Sequence, residues 1–338
     1  MKTYHINWRI IISIFMILSM SVTISKAQID TNYVHLTKDK FSVIPLFEYY
    51  KSNMNIIEFA PEANYPDNQT GRSFSAKSNL YIGIGLSFQR FGFSLSFQLP
   101  QTDIPELKES HSMSFMGGFS YYKFYAEMHY LSYNGFLEKT FSSDNDSIIE
   151  QSRIIKETQY QQLGGELYYF SANKYNYDAN FKNYNIQKKS AISPVGLLGI
   201  NYYSLYASTE NFDSLQEVDL NRTVRIFSGK LGVGMAGSLV FKEKWFASGI
   251  AIIGLSVNRN QLIGGVYNKP SVNMLPFSEF SFAMGYNSSR FYIALNYMNN
   301  NNRVYFFKNK IGIHNHYLSL KFGYRFNSKF LGKAAKYL

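Results

Sequence analysis

The stretch that decides the fold is LYIGIGLSFQRFGFSLSFQLP, which runs from Leu80 to Pro100 and has an apolar side chain at almost every second position. Leucine, isoleucine and phenylalanine occupy one parity, whereas glycine, serine, tyrosine and glutamine occupy the other. The pattern restarts after Arg90-Phe91-Gly92. Because successive side chains of a strand point to opposite sides, the stretch predicts a β-hairpin with one apolar face.

Alternating segments of this kind recur almost to the end of the chain. No stretch after residue 27 has a helical period over three turns, and no proline-rich linker divides the chain, so the sequence predicts one domain over 28–338. We predict strands near 41–61, 78–89, 92–100, 111–122, 124–134, 159–172, 192–208, 226–242, 245–259, 277–288, 290–300 and 316–326.

The connections between these strands are of two kinds, tight and long. The predicted long, polar links are 135–158, 209–225, 260–276 and 301–315. The alternation resembles outer-membrane barrels, which have short periplasmic turns and longer external loops. With one long first strand, this arrangement predicts twelve strands and a periplasmic C-terminus. The segment 173–191 leaves a second possibility open, because an extra strand there gives a count of fourteen.

The apolar face must meet either a protein core or lipid. A soluble sandwich usually exposes charged residues, but the polar parity here is mostly small or uncharged, which suits a crowded or hydrated interior. Since only helices and closed barrels cross a bilayer, we predict a closed antiparallel transmembrane β-barrel. Its predicted lipid-facing residues are Leu80, Ile82, Ile84, Leu86, Phe88, Phe93, Leu95, Phe97, Leu318, Leu320 and Phe322.

The N-terminus has the features of a secretory signal peptide. Lys2 and Arg9 provide positive charge, an apolar run follows over 10–20, and Ser25-Lys26-Ala27 provides small residues for cleavage. We therefore predict a signal peptide over 1–27 and a location in the outer membrane of a Gram-negative bacterium. The absence of cysteine excludes disulfides and cysteine metal sites.

The formal net charge is +11, but the lysines and arginines are scattered along the chain. Nucleic-acid binding is therefore not predicted, and a contact with lipid headgroups fits better. Gly83-Ile84-Gly85 and Gly232-Val233-Gly234 lie within strands and lack the residues of a phosphate loop. His314 and His316 have no evident third ligand, so we predict neither a metal nor another cofactor.

Ionisable groups occur on the parity that faces the lumen. A buried charge needs a partner, so these groups predict a network of ion pairs inside the barrel. Its predicted members are Glu127, Glu166, Glu279, Lys321 and Arg325. Catalysis is left open, with Glu127, His129 and Glu166 as candidates, although no motif fixes their geometry. Ser132 has the opposite parity to His129, so these two side chains do not meet within their strand.

Several segments in order resemble an uncharacterised family of outer-membrane barrels from Bacteroidota, domain-of-unknown-function family 4421. They are DTNYV (30–34), the opening stretch, IQKKSAIS (186–193), MGYNSSRFYIALNYMNN (284–300) and YLSLKFGYRF (317–326). The resemblance implies an outer-membrane location and provides no catalytic residues. Barrels of this kind commonly end on an aromatic that the assembly machinery recognises. Here NSKFLGKAAKYL follows Phe326, so either that signal is internal or 327–338 is a short periplasmic tail.

Three functions are compatible with the sequence. The first is an integral outer-membrane barrel with a structural role, or with a role in passage or binding of small envelope molecules, and it is favoured over catalysis. The second is a lipid-modifying or hydrolytic barrel enzyme. The third is a soluble periplasmic barrel that binds an apolar ligand. Outer-membrane lipid and, during biogenesis, the barrel-assembly machinery are the expected partners.

Overall fold

The structure is a computed structural model that describes residues 29–37, 40–58, 70–75, 80–100, 112–144, 147–207, 222–263, 270–306 and 309–327. The predicted signal peptide and most of the predicted C-terminal tail lie outside the described residues. The described part is almost entirely β-structure. Among its residues, no helix is long and apolar enough to span a membrane.

Twelve antiparallel strands close into a barrel, which confirms the predicted fold class and strand number. Neighbouring wall strands are paired all the way round, and β15 pairs with β2 to complete the ring. The wall strands are β2 (Lys40–Glu58), β4 (Leu80–Phe88), β5 (Phe91–Gln98), β6 (Met113–Tyr121), β7 (Phe124–Asp144), β8 (Ser147–Phe170), β10 (Ala191–Ala207), β11 (Arg222–Phe241), β12 (Trp245–Ile263), β13 (Ser271–Asn287), β14 (Phe291–Phe306) and β15 (Asn309–Asn327).

The two ends of the barrel differ. At one end, which we call the turn end, most strands are joined by connections of two or three residues. At the other end, which we call the hairpin end, most strands extend further than the sequence predicted. The link predicted at 135–158 is mostly strand, because the pairing of β7 with β8 continues as far as Asp144↔Ser147 at the hairpin end. The links predicted at 260–276 and 301–315 are likewise shortened by strand pairing. These extensions were missed because their sequences do not alternate regularly between apolar and polar residues, and strands beyond an apolar layer need no such alternation.

A short strand, β3 (Thr70–Ser75), was not predicted from the sequence. It pairs with β2 on one side and with β7 on the other, near the hairpin end. Nearer the turn end, β4, β5 and β6 fill the same interval between β2 and β7. The barrel therefore narrows from twelve strands to ten toward the hairpin end.

The segment 173–191 does not add wall strands, so the alternative count of fourteen is wrong. Residues 173–190, which we call the plug, fold into the lumen from the turn end. They contain one short π-helix, Asp178–Lys182, and a two-residue strand, β9 (Ile186–Gln187), which pairs with β1 (Val34–His35). A segment without alternation cannot present one face to lipid and the other to the lumen, and here residues 175–187 are buried except for the partly exposed Tyr177.

The orientation of side chains follows the parity of the strands. Tyr81 is 1% exposed, whereas its neighbour Ile82 is 46% exposed and points outward. Of the eleven predicted lipid-facing residues, all are exposed on the outer face except Phe88 and Leu95, which are partly exposed. Leu95 is partly covered because it pairs with Ile84 on one side and with Phe115 on the other.

Candidate functional site

The plug is bound to the wall by a row of donors on β13, β14 and β15. Asn287 donates to the carbonyl oxygens of Ala179 and Asn185, at 3.1 and 2.9 Å. Asn296 donates to the carbonyl of Phe181 at 3.0 Å. The Lys321 ammonium lies 3.3 Å from the same oxygen, and Arg325 donates to the carbonyl of Asn183. Polar wall residues thus satisfy backbone groups that a buried loop would otherwise leave unpaired.

Aromatic rings hold the other side of the plug. The Tyr177 ring lies 4.2 Å from the Tyr125 ring centroid and 5.6 Å from that of Tyr168. Within the plug, Phe181 stacks on the same ring at 5.1 Å. An added Cβ at Gly92 on β5 would overlap the Tyr184 hydroxyl, so glycine is required at this close approach.

Two carboxylates face each other in the wall above the plug. Glu127 on β7 is the direct register partner of Glu166 on β8, an arrangement that is repulsive when both are ionised. Each has its own cation: Lys182 of the plug lies 2.5 Å from Glu127, and Lys230 of β11 lies 3.5 Å from Glu166. Gly199 lies between Glu166 and Lys230 in the register, so the pair reaches across one intervening strand.

One hydroxyl links this cluster across the lumen. The Tyr168 oxygen lies 2.8 Å from carboxylate oxygens of both Glu166 and Glu279. A phenol has a single proton, so it donates to only one of them at a time. Glu279 stands on β13, three strands beyond β10, and the bond therefore ties opposite sides of the wall.

The predicted network members divide into two groups. Glu127, Glu166 and Glu279 lie in one connected cluster, whereas Lys321 and Arg325 bind plug carbonyls. Two members were missed from the sequence. Lys230 has the same inward parity as Gly232, so its place in the lumen was predictable from the alternation in this strand. Lys182 was not detectable, because its position depends on the plug entering the lumen.

The candidate catalytic residues are bonded to other side chains in the described part of the barrel. His129 makes a 3.0 Å hydrogen bond with Gln162 through Nε2, and Glu127 is engaged by Lys182 and by the Tyr125 hydroxyl at 3.0 Å. Thus the recorded partner of His129 is an amide, whereas hydrolysis by this route needs a nucleophile within reach of the base. His314 and His316 bond to asparagines of β14, and no group of three metal-binding side chains occurs within the described residues.

A protein-family model described as "Domain of unknown function (DUF4421)" matches residues 28–326. The chain belongs to this family. The comparison with curated proteins found no match.

Among solved structures, this DUF4421 barrel is similar to three outer-membrane proteins at low identity. The outer membrane protease OmpT from Escherichia coli aligns with a TM-score of 0.44 and 9% identity, covering 88% of this chain and 100% of that one. The P. putida toluene transporter TodX gives 0.29 and 10%, with coverages of 86% and 91%. The Bordetella autotransporter BrkA β domain gives 0.30 and 9%, with coverages of 85% and 99%.

A buried acid in the plug predicts a pH dependence of stability. Burial raises the pKa of Asp178 to about 6, against opposing contributions from a Ser120 hydrogen bond and the Lys182 charge. One of its carboxylate oxygens, Oδ1, has no hydrogen-bond partner among the residues that the structure describes. Because the folded pKa exceeds the ordinary value of 3.8, the protonated acid stabilises the fold, and that contribution is lost as the pH rises from about 4 to about 6.

Asp178→Asn mimics the protonated form of the acid. We expect this variant to match the parent protein near pH 4 and to be more stable at pH 7.5. Thermal unfolding of the detergent-solubilised barrel at both pH values measures the difference. Equal stability of the two proteins at pH 7.5 would contradict the prediction.

Proposed function

We propose that the protein is an integral outer-membrane β-barrel whose lumen is closed by its own plug, with a structural or small-molecule-binding role in the envelope. The observation that carries the proposal is the combination of an exposed apolar outer face with an interior filled by polar, charged and aromatic side chains. A soluble barrel that binds an apolar ligand requires the reverse arrangement. Outer-membrane lipid and the barrel-assembly machinery are its proposed partners.

The turn end supports the membrane placement. Arg90 lies over the Tyr121 and Tyr122 rings, at 5.1 and 5.5 Å from their centroids. Lys242 lies 5.2 Å from the ring centroid of the exposed Phe241. Aromatic rings with adjacent cations suit the headgroup level, where rings meet both hydrocarbon and phosphate. In the proposed orientation this end and the plug face the periplasm.

Two small cavities in the described part of the barrel support a closed lumen. One, between the plug and the wall near Glu48 and Lys321, has a volume of about 30 Å³. Another, beside His129 and Tyr133, has a volume of about 60 Å³. Such volumes hold a few water molecules, so constitutive passage of solutes is not part of the proposal.

A charge on the outer face distinguishes a membrane barrel from a soluble one. Ile84 is 53% exposed. We expect Ile84→Arg to lower the free energy of unfolding in vesicles by about 2–4 kcal/mol if the residue lies near the bilayer midplane. Ser289→Arg, on the exposed turn before β14, is the matched control and should have little effect. In a water-soluble barrel, neither substitution should matter.

Fractionation provides the corresponding test on the native protein. We expect it to stay with membranes through alkaline carbonate and to be released only by detergent. Release by carbonate or salt would reject the integral placement.

A further inference from the structure

The hydrogen-bonded ladder between β13 and β14 stops before either strand ends. Its last pair toward the hairpin end is Ser278↔Asn301, although β13 extends to Ser271 and β14 to Phe306. On their other sides, β13 remains paired with β12 and β14 with β15 over these extensions. Among the described residues, the wall therefore forks above Ser278, where β13 and β14 no longer pair with each other.

Pro276 lies on the β13 edge of this fork. Proline has no N–H to donate and is confined in sheets to edges, strand starts or bulges. The next outward-facing residue toward the turn end is Ser278. It is the last residue of β13 that pairs with β14. The sequence is thus compatible with a wall that ends its pairing at this point.

A groove of about 620 Å³ lies at the fork. One edge is apolar and contains Val233, Ile253 and Leu255. The other is polar and contains Asn301 and His314, which bond to each other at 2.8 Å. Val233 and Ile253 are 67% and 69% exposed, so the apolar edge is continuous with the outer face of the barrel.

Phe277 forms the floor of the groove and is 4% exposed. A Cβ added to Gly232 or Gly254 would lie 2.9 or 2.6 Å from its ring, so two glycines make room for it on the inner side of the wall. The Lys230 ammonium lies 5.4 Å from the ring centroid. This single ring therefore separates the groove from the charged cluster of the lumen.

We propose that the groove at the β13–β14 fork binds one acyl chain of a membrane lipid, with a stretch of the chain against Phe277 and a polar group of the lipid beside Asn301 and His314. The inference rests on the proposed membrane placement. The occupant follows from the surroundings: the groove opens from an outer surface that faces hydrocarbon in that placement, and its apolar and polar edges match the two parts of a lipid.

Fluorescence quenching tests the proposal. Phe277→Trp is made in a Trp245→Phe background. The other tryptophan, Trp8, lies in the predicted signal peptide, so position 277 then holds the single tryptophan of the predicted mature barrel. The barrel is reconstituted in vesicles of phosphatidylcholine with brominated acyl chains, which quench tryptophan on contact. We expect at least twofold quenching at position 277. Phe246→Trp, a buried inward position on a part of the wall that is paired on both sides, is the matched control and should be quenched little.

Further arms separate the possible failures. Equal quenching at positions 277 and 246 would overturn the acyl-chain site. If Phe277→Trp fails to assemble, Leu275→Trp on the same edge replaces it. We again expect at least twofold quenching, and equal quenching at positions 275 and 246 would again overturn the site. Ser278→Phe should fill the mouth and reduce quenching at 277. In the unaltered barrel, the outward-facing Trp245 is 54% exposed and reports insertion itself. An unquenched Trp245 would reject the membrane placement and not the groove alone.

Discussion

Replacing the plug, residues 173–190, with an Asn-Gly turn is expected to convert a non-conducting barrel into one that passes ions. The replacement is geometrically feasible, because β8 and β10 are neighbours whose pairing begins at Phe170↔Val195, and Ser171 already donates to the Pro194 carbonyl at 3.1 Å. The plug is thus an insertion in a hairpin. Asn-Gly favours the tight turn that two adjacent antiparallel strands need.

Planar-bilayer recording measures the outcome. The parent protein should show no stable steps, since its lumen is filled, whereas the shortened barrel should show discrete conductance steps. Lys189→Gln, an exposed substitution that keeps the plug, is the control and should remain silent. A shortened barrel that assembles and unfolds cooperatively but does not conduct would show that wall side chains and residues 29–37 seal the lumen without the plug.

The wall strands were predictable because the alternation that identifies each strand lies within that strand. In β4, each outward residue is apolar and each inward residue is small, polar or tyrosine, so parity alone identifies the strand and its two faces. Pairing of Ile82 with Phe97 and of Ile84 with Leu95 then follows from a tight connection. The strand count required no knowledge of the interior.

The interior was only partly predictable, because its contacts join residues distant in sequence. Arg325 was placed in the lumen by parity, but its acceptor in the plug, the Asn183 carbonyl, depends on how the plug enters. The plug has no period, since side chains of the wall and of the plug itself satisfy many of its backbone groups, and its described ladder is the two-residue pairing of β9 with β1. The fork at Ser278 was equally hidden, because the residues beyond it have strand character whether or not they pair.

Removing the cation of the Glu127–Lys182 pair is expected to give the largest loss of stability from a single substitution. Glu127 is buried beside Glu166, and Lys182 is its ion-pair partner in the described part of the chain. In the Lys182→Met variant, the Glu127 carboxylate keeps the hydrogen bond from the Tyr125 hydroxyl but loses its cation. Breaking a buried pair in this way costs about 3–5 kcal/mol, because the remaining charge stays desolvated.

Urea unfolding in lipid vesicles measures the loss, and a double variant identifies its cause. Glu127→Gln combined with Lys182→Met removes both charges and should recover most of the stability, since no charge is then left buried and unpaired at this position. Lys189→Met is the matched control, because the ammonium of this exposed plug lysine lies over the Tyr33 ring, 5.5 Å from its centroid, and not in a buried ion pair. It should change stability by about 0.5 kcal/mol or less. If the double variant were as unstable as Lys182→Met, the lost stability would come from packing of the lysine stem on Tyr125 and Tyr177, and not from the unpaired carboxylate.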